Sequence, residues 1–143
     1  MYRILPIFTI LVSLKVGAAQ QPTVWDAPPA AKKMKNRVSL TGEKVEAVAK
    51  LYDRKCAACH GAKGASNGPA AASLAEAPAN FTNAKAMAKV KDGELFWKIT
   101  TGRSPMPGYG AELPETDRWQ LVNYVRDLTR RSEYRYLGVT RSR

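Results

Sequence analysis

Both cysteines and the only histidine of this chain lie in one pentapeptide, Cys56-Ala57-Ala58-Cys59-His60. Two thiols at this spacing can each form a thioether with a vinyl group of the same haem. The adjoining imidazole can then bind the haem iron, which is a usual role of histidine. Because no other cysteine or histidine exists in the sequence, we interpret Cys56 and Cys59 as the covalent attachment points of one haem c, and His60 as a ligand of its iron.

Three other uses of these residues fit less well. A structural zinc site commonly takes four cysteine or histidine ligands, whereas this chain has only three such residues. A thioredoxin-like dithiol usually begins a helix that follows a strand, whereas this motif follows a segment of helical periodicity. A short disulfide between the two cysteines leaves His60 without a role.

The opposite face of the iron needs a second ligand or stays open. Two-histidine ligation is excluded because the chain has one histidine. Methionine is the alternative for an electron carrier, since its soft thioether favours ferrous iron and raises the reduction potential. Met106 lies between Pro105 and Pro107, which restrict the backbone around it, whereas Met34 and Met87 lie in charged or helical segments where we expect packing or surface roles. We therefore predict Met106 as the second ligand.

The element that leads into the motif is predicted from its apolar spacing. Apolar residues recur at helical spacing between Val45 and Tyr52. They predict an amphipathic helix that is capped by Thr41 and runs into Cys56. The segment 61–78 is rich in Gly, Ala and Pro, and this composition predicts a loop folded around a bound group.

The elements after this loop are also predicted to be helical. Asn83 and Asp92 are each predicted to cap a short helix, and the second of these helices ends at Gly102. After a loop from 102 to 114, a last long helix is predicted over about residues 115–130. Every periodic segment has the helical period and none alternates as a strand would. The sequence therefore predicts an all-α fold.

The N-terminal residues are typical of a secretory signal. A basic residue, an apolar run and small residues follow one another within residues 1–19. The apolar run covers roughly half of a bilayer core, which favours a cleaved signal, although a retained tether stays an alternative. We therefore predict a signal peptide (1–19), an extended basic lead-in whose prolines disfavour helix (20–40), a haem domain (41–130) and a basic tail (131–143). The mature chain is expected to be soluble and periplasmic, or otherwise extracytoplasmic.

Over roughly residues 41–130 the chain resembles the class I c-type cytochromes, which are small monohaem electron carriers. The matching pieces are Leu51-Tyr52, Cys56–Gly61, Phe96–Gly102, Met106-Pro107 and Trp119–Leu128. The resemblance implies a cytochrome c fold whose first and last helices cross over the haem and meet through Tyr52 and Tyr124. It also implies that the carbonyl of Pro69 accepts a hydrogen bond from the iron-binding imidazole, which fixes the ring. One departure is Val48, where the family commonly has glycine.

The charge of the chain bears on its partners. The sequence has 23 Lys and Arg against 12 Asp and Glu, a formal net charge of +11, and basic residues concentrate in 32–37 and 130–143. Such runs are either simply solvated or steer the protein toward an acidic docking patch on a redox partner. An anionic membrane surface is a further candidate for weak association, whereas nucleic acid is not expected to bind an exported haem protein.

The sequence thus predicts an extracytoplasmic one-electron carrier that catalyses no reaction of its own. One alternative is a dedicated cytochrome subunit of a larger oxidase or dehydrogenase, with the lead-in and tail as docking arms. Another is a small haem peroxidase, which requires an open iron position. Met106 and the lack of a second histidine argue against the peroxidase, but nothing in the sequence separates the carrier from the subunit.

Overall fold

The computed structural model describes residues 25–137, and the predicted signal peptide (1–19) lies outside these residues. Within 25–137 the chain has no strand, and its one extended pairing is an isolated bridge between Arg103 and Met106. None of the helices in this range is both long and apolar enough to cross a membrane. The helices are α1 (Pro29–Lys33), α2 (Glu43–Lys55), α3 (Ala57–His60), α4 (Ala84–Met87), α5 (Asp92–Thr101) and α6 (Glu115–Tyr136), with a 3-10 turn at Ala71–Ser73. The prediction of an all-α fold is confirmed.

The core forms around α6, which packs against α2, α4 and α5. Leu121 and Val122 of α6 are almost completely buried, as the helical spacing of apolar residues predicts. The helices α2 and α6 meet through Tyr52 and Tyr124, whose ring centroids lie 5.1 Å apart. Val48, at the position where glycine is common, is buried in the same core. The contact between Tyr52 and Tyr124 that the resemblance implies is therefore present.

Two predicted helix caps were wrong by one residue. The N-cap of α2 is Gly42 and not Thr41, because the backbone there has a φ of +56°, a conformation that glycine adopts without a steric penalty. Lys91 precedes α5, so Asp92 is the first helical residue rather than the cap. The carboxylate of Asp92 instead binds the side chain of Arg126 on α6 at 2.8 Å. A tertiary ion pair has replaced the local capping bond in this case.

The other two predicted helix boundaries in this region are confirmed. The side chain of Asn83 accepts a hydrogen bond of 3.0 Å from the backbone N–H of Ala86, which caps α4. Gly102 ends α5 with a φ of +63°. These two signals depend on local chemistry alone.

The last helix extends beyond its predicted end near residue 130, to Tyr136. Arg131 binds Asp127 one turn earlier at 2.5 Å, a spacing that stabilises helices. The hydroxyl of Ser132 donates a hydrogen bond of 3.2 Å to the carbonyl of Thr82. The first part of the predicted basic tail is therefore helical and largely exposed, with one hydrogen bond to the segment before α4.

The segment from Trp25 to Val38, here called the N-terminal strap, lies against the domain. The expectation that prolines keep it extended was wrong at α1, because Pro29 occupies the first helical position, where a missing N–H is tolerated. The helix α1 packs against α5. The two helices approach closely at Gly93, where an ideal Cβ would lie 2.0 Å from the carbonyl oxygen of Ala31. The strap is thus a docked element of the structure.

Candidate haem site

The two thiols and the imidazole lie on one turn of backbone, here called the attachment turn (residues 56–60). Cys56 follows the last residue of α2 and immediately precedes α3, which ends with His60. The N–H of His60 donates a hydrogen bond of 2.9 Å to the carbonyl of Cys56. Both cysteines are free and half-buried. The structure therefore brings together the three side chains that the sequence groups as one set.

The imidazole of His60 has a defined orientation. Its Nδ1 lies 3.0 Å from the carbonyl oxygen of Ala79. Because a carbonyl can only accept, Nδ1 carries a proton, and Nε2 of the neutral ring keeps its lone pair. Burial lowers the pKa of His60, which further favours the neutral ring. The side chain is thus in the form in which histidine binds a metal.

The carbonyl that orients His60 is not the one that the resemblance implies. The prediction of Pro69 was wrong, because the accepting oxygen belongs to Ala79. The backbone on either side of Pro69 instead donates hydrogen bonds of 3.2 and 2.8 Å to carbonyls of the attachment turn. The hydroxyl of Ser66 binds the carbonyl of Pro78 at 2.7 Å and thereby brings the end of the loop toward the imidazole.

Aromatic residues surround the attachment turn. The ring of Phe81 stacks on the imidazole of His60, with centroids 4.5 Å apart and an interplanar angle of 15°. The hydroxyl of Thr129 on α6 donates a hydrogen bond of 2.8 Å to the carbonyl of Phe81. On the other side, buried Tyr52 donates to the carbonyl of Gly61 at 2.9 Å, and burial raises the pKa of Tyr52 above its ordinary value. Sequence reasoning missed Phe81 and Thr129, although a lone aromatic in a small-residue loop is a signal for the first.

Met106 lies in the loop between α5 and α6, here called the Met106 loop (residues 102–114), and its side chain is partly exposed. Its backbone pairs with that of Arg103 through two hydrogen bonds of 3.0 and 2.8 Å. At Gly102 an ideal Cβ would lie 2.3 Å from the backbone nitrogen of Gly108. The loop therefore folds tightly back on itself around Met106.

The Met106 loop contacts the last residue of α2, which directly precedes the attachment turn. The hydroxyl of Tyr109 donates a hydrogen bond of 2.7 Å to the carbonyl of Lys55, the residue before Cys56. The ammonium group of Lys55 forms an ion pair with Glu112 of the same loop. Burial raises the pKa of Tyr109 to about 12, so its hydroxyl stays a donor at neutral pH. The segments that carry the predicted iron ligands are thus tied together by the polypeptide.

The donor set fits a covalently attached haem. It contains two free thiols, a thioether and an imidazole whose Nε2 has a lone pair, which are the groups that bind haem vinyls and haem iron. Burial raises the pKa of Cys56 to about 12, so this thiol is protonated in the polypeptide alone at neutral pH. Among the described residues, no three His, Cys, Asp or Glu side chains are grouped as ligands of a bare metal ion would be.

The comparison with protein families agrees with this donor set. Residues 43–125 match the family described as "Cytochrome C oxidase, cbb3-type, subunit III". The chain belongs to this family of c-type cytochromes. Membership implies covalently bound haem c and a part in electron transfer, and the chain has two cysteines, Cys56 and Cys59.

A solved structure also resembles this cytochrome. A chain of the "reducing HAO-like protein complex Kustc0457/Kustc0458" of Kuenenia stuttgartiensis is 30% identical to it with a TM-score of 0.54. The similarity covers 64% of this chain and 46% of that chain, so the match spans less than half of the longer protein. No curated protein matches the sequence. Together with the family match, the similarity confirms the cytochrome c fold.

Proposed function

We propose that this cytochrome is an extracytoplasmic one-electron carrier with a single haem c, covalently held by Cys56 and Cys59 and ligated by His60 and Met106. When bound, the haem supplies an iron that alternates between the ferrous and ferric states. The observation that carries the proposal is the hydrogen bond between Nδ1 of His60 and the carbonyl of Ala79. This bond leaves Nε2 as the free ligand atom and holds the ring in one orientation.

The two proposed ligands have opposite effects on the reduction potential of the iron. The hydrogen bond to His60 raises the basicity of the imidazole, and this favours the ferric state. The thioether of Met106 favours the ferrous state. Two protein ligands leave no iron position for peroxide or oxygen, so we propose a carrier and not a peroxidase. Rapid peroxide turnover by the purified protein would contradict this choice.

Mass spectrometry of the exported, acid-denatured protein tests the attachment and the haem count. We expect the mass of the chain plus one haem. The double variant Cys56→Ser/Cys59→Ser is expected to have the mass of the chain alone, because no other thiol exists to form a thioether. A parent protein without added haem mass, or with the mass of two haems, would contradict the proposal.

We further propose that basic side chains guide this cytochrome to an acidic patch on a redox partner. Arg130 and Arg131 both contact Asp127, which offsets part of their charge. Lys63 and Arg135 line one surface depression and are better positions for a test. Lys63→Gln and Arg135→Gln should each slow electron transfer to an acidic partner at low salt, and the difference should vanish as salt screens the charges. Equal rates in parent and variants at low salt would contradict this docking surface.

The proposed location rests on the signal-like residues 1–19. N-terminal sequencing of the protein purified from the periplasmic fraction tests it. We expect the mature chain to begin just after Ala19. Recovery of the intact chain in the membrane fraction would instead indicate a retained tether, and recovery in the cytoplasm would contradict export.

A second candidate function is a dedicated subunit of a larger redox complex. The matching family is named for a subunit of an oxidase, and the similar solved structure is part of a complex. Stoichiometric co-purification with one complex that persists at high salt would favour the subunit. A partner association that weakens steeply with salt would favour the free carrier, because steering by exposed charges is screened.

A further inference from the structure

The N-terminal strap contacts the Met106 loop through one aromatic side chain. The guanidinium carbon of Arg103 lies 5.3 Å from the ring centroid of Trp25, which is within cation–π distance. The same ring packs against Trp97 of α5, with centroids 6.3 Å apart, and lies 5.4 Å from the ammonium nitrogen of Lys98. Trp25 therefore contacts both α5 and Arg103, the second residue of the Met106 loop.

The rest of the strap has its own contacts with α5 and α6. The helix α1 is so close to α5 that a Cβ at Gly93 would overlap the carbonyl oxygen of Ala31, and Ala31 itself is buried. After α1, Nδ2 of Asn36 donates a hydrogen bond of 2.9 Å to Oδ1 of Asn123 on α6. Asn123 in turn donates a bond of 2.7 Å to the backbone of the strap. The strap is therefore attached on both sides of α1.

Arg103 connects the strap to Met106. Its backbone exchanges two hydrogen bonds with the backbone of Met106, at 3.0 and 2.8 Å. Its guanidinium group also binds Glu76, in the loop between the attachment turn and α4, at 3.2 Å. A displacement of Arg103 would therefore be passed to Met106 through the paired backbone.

We propose that Trp25 and Arg103 are positioning residues that keep the Met106 loop closed and so keep Met106 on the haem iron. The inference rests on the proposed function, in which Met106 is an iron ligand. The strap precedes residues 43–125, so the family match does not include it. Loss of a partly exposed cation–π contact should raise the population of the open loop by about two- to five-fold.

Amide hydrogen exchange of the holoprotein measures how often the Met106 loop opens, and it does so without a signal from the iron. The N–H of Met106 is bonded to the carbonyl of Arg103, so its exchange rate reports the opening of the loop. We expect about two- to five-fold faster exchange in Trp25→Ala and near-parent exchange in Trp25→Phe, which keeps an aromatic face. Asn36→Ala is the matched control, because it weakens the strap at α6 without removing the contact to Arg103, and its Met106 exchange should equal that of the parent.

Imidazole binding to the ferric holoprotein tests the effect on ligation. Added imidazole must displace Met106 from the iron, so the apparent affinity for imidazole should rise about two- to five-fold in Trp25→Ala and at least as much in Arg103→Gln, which also loses the pair with Glu76. The effect of the double variant should be smaller than the product of the two single effects, because both substitutions remove the contact between Trp25 and Arg103. Independent, multiplying effects, or parent-like exchange and affinity in Trp25→Ala, would overturn the inference and leave the proposed function intact. If the parent lacks methionine ligation altogether, the inference and the proposed function fail together. The absence of a sulfur-to-iron charge-transfer band in the parent shows this before any variant is made.

Discussion

The phenolic hydroxyl of Tyr109 donates a hydrogen bond of 2.7 Å to the backbone carbonyl of Lys55. Lys55 is the last residue of α2 and precedes Cys56, whereas Tyr109 follows Met106 in its loop. The N–H of Tyr109 also donates to the carbonyl of Ile99, at 2.9 Å. One buried tyrosine therefore ties the Met106 loop both to α5 and to the end of α2, next to the attachment turn.

Tyr109→Phe should lower the free energy of unfolding of the holoprotein by about 1 kcal/mol, because the variant loses one hydrogen bond and leaves the carbonyl of Lys55 without this donor. Denaturant unfolding at pH 7 measures the change. Tyr136→Phe is the matched control, since Tyr136 is 91% exposed, and it should change stability by less than about 0.5 kcal/mol. Equal effects of the two substitutions would contradict a role for the Tyr109 hydroxyl.

The stability difference between the parent and Tyr109→Phe should depend on pH. Burial raises the pKa of Tyr109 to about 12, whereas a phenol in the unfolded chain titrates near 10. A group with a raised folded pKa contributes stability that is complete below the unfolded pKa and is lost as pH rises through the folded pKa. The stability difference between parent and Tyr109→Phe should therefore be constant below about pH 9 and should shrink between about pH 10 and 12. A constant difference across that range would be the contrary result.

Ser66→Ala should raise the reduction potential. The hydroxyl of Ser66 holds the carbonyl of Pro78, next to the Ala79 carbonyl that accepts from His60. A looser acceptor lowers the basicity of the imidazole and so disfavours the ferric state. We expect a rise of at most about 40 mV, the one-electron equivalent of about 1 kcal/mol. Redox titration measures it, with Ser73→Ala as the control, because Ser73 makes a similar bond away from this segment. A lower potential in Ser66→Ala would show that this bond has another role.

Gly68→Ala should destabilise the attachment turn. An ideal Cβ at this position would lie 2.3 Å from the carbonyl oxygen of Ala58 and 2.4 Å from that of Ala57, so the backbone must shift. We expect a loss of about 1–3 kcal/mol in the free energy of unfolding, with a lower yield of haem-containing protein. Gly42→Ala, with a φ of +56° but no atom within 4 Å, should lose only about 1 kcal/mol. A Gly68→Ala protein as stable as the parent would rule out this close approach.

Local signals predicted much of this structure. The apolar spacing of α2, α5 and α6 was sufficient to predict them as helices, and Asn83 was sufficient to place the start of α4. The attachment turn was predictable because its residues are adjacent in sequence. At α1 the same kind of signal was misread, because Pro29 begins a helix at its first position as readily as it interrupts one.

Features that depend on tertiary contacts were not predictable in this way. The carbonyl that reaches His60 depends on the path of a long loop, which is set by the bond from Ser66 to Pro78 and by one of 2.7 Å from the N–H of Phe81 to the carbonyl of Gly64. The resemblance to class I c-type cytochromes had implied Pro69. The end of α6 likewise depends on contacts made after the chain has folded.

The near-infrared sulfur-to-iron charge-transfer band of the ferric protein tests ligation by Met106 most directly. We predict the band in the parent protein and in Met87→Leu, since Met87 is a core residue with only 4% of its surface exposed. We predict its complete loss in Met106→Ala. Retention of the band in Met106→Ala would contradict the proposed ligation and would assign the sulfur ligand to Met34 or Met87.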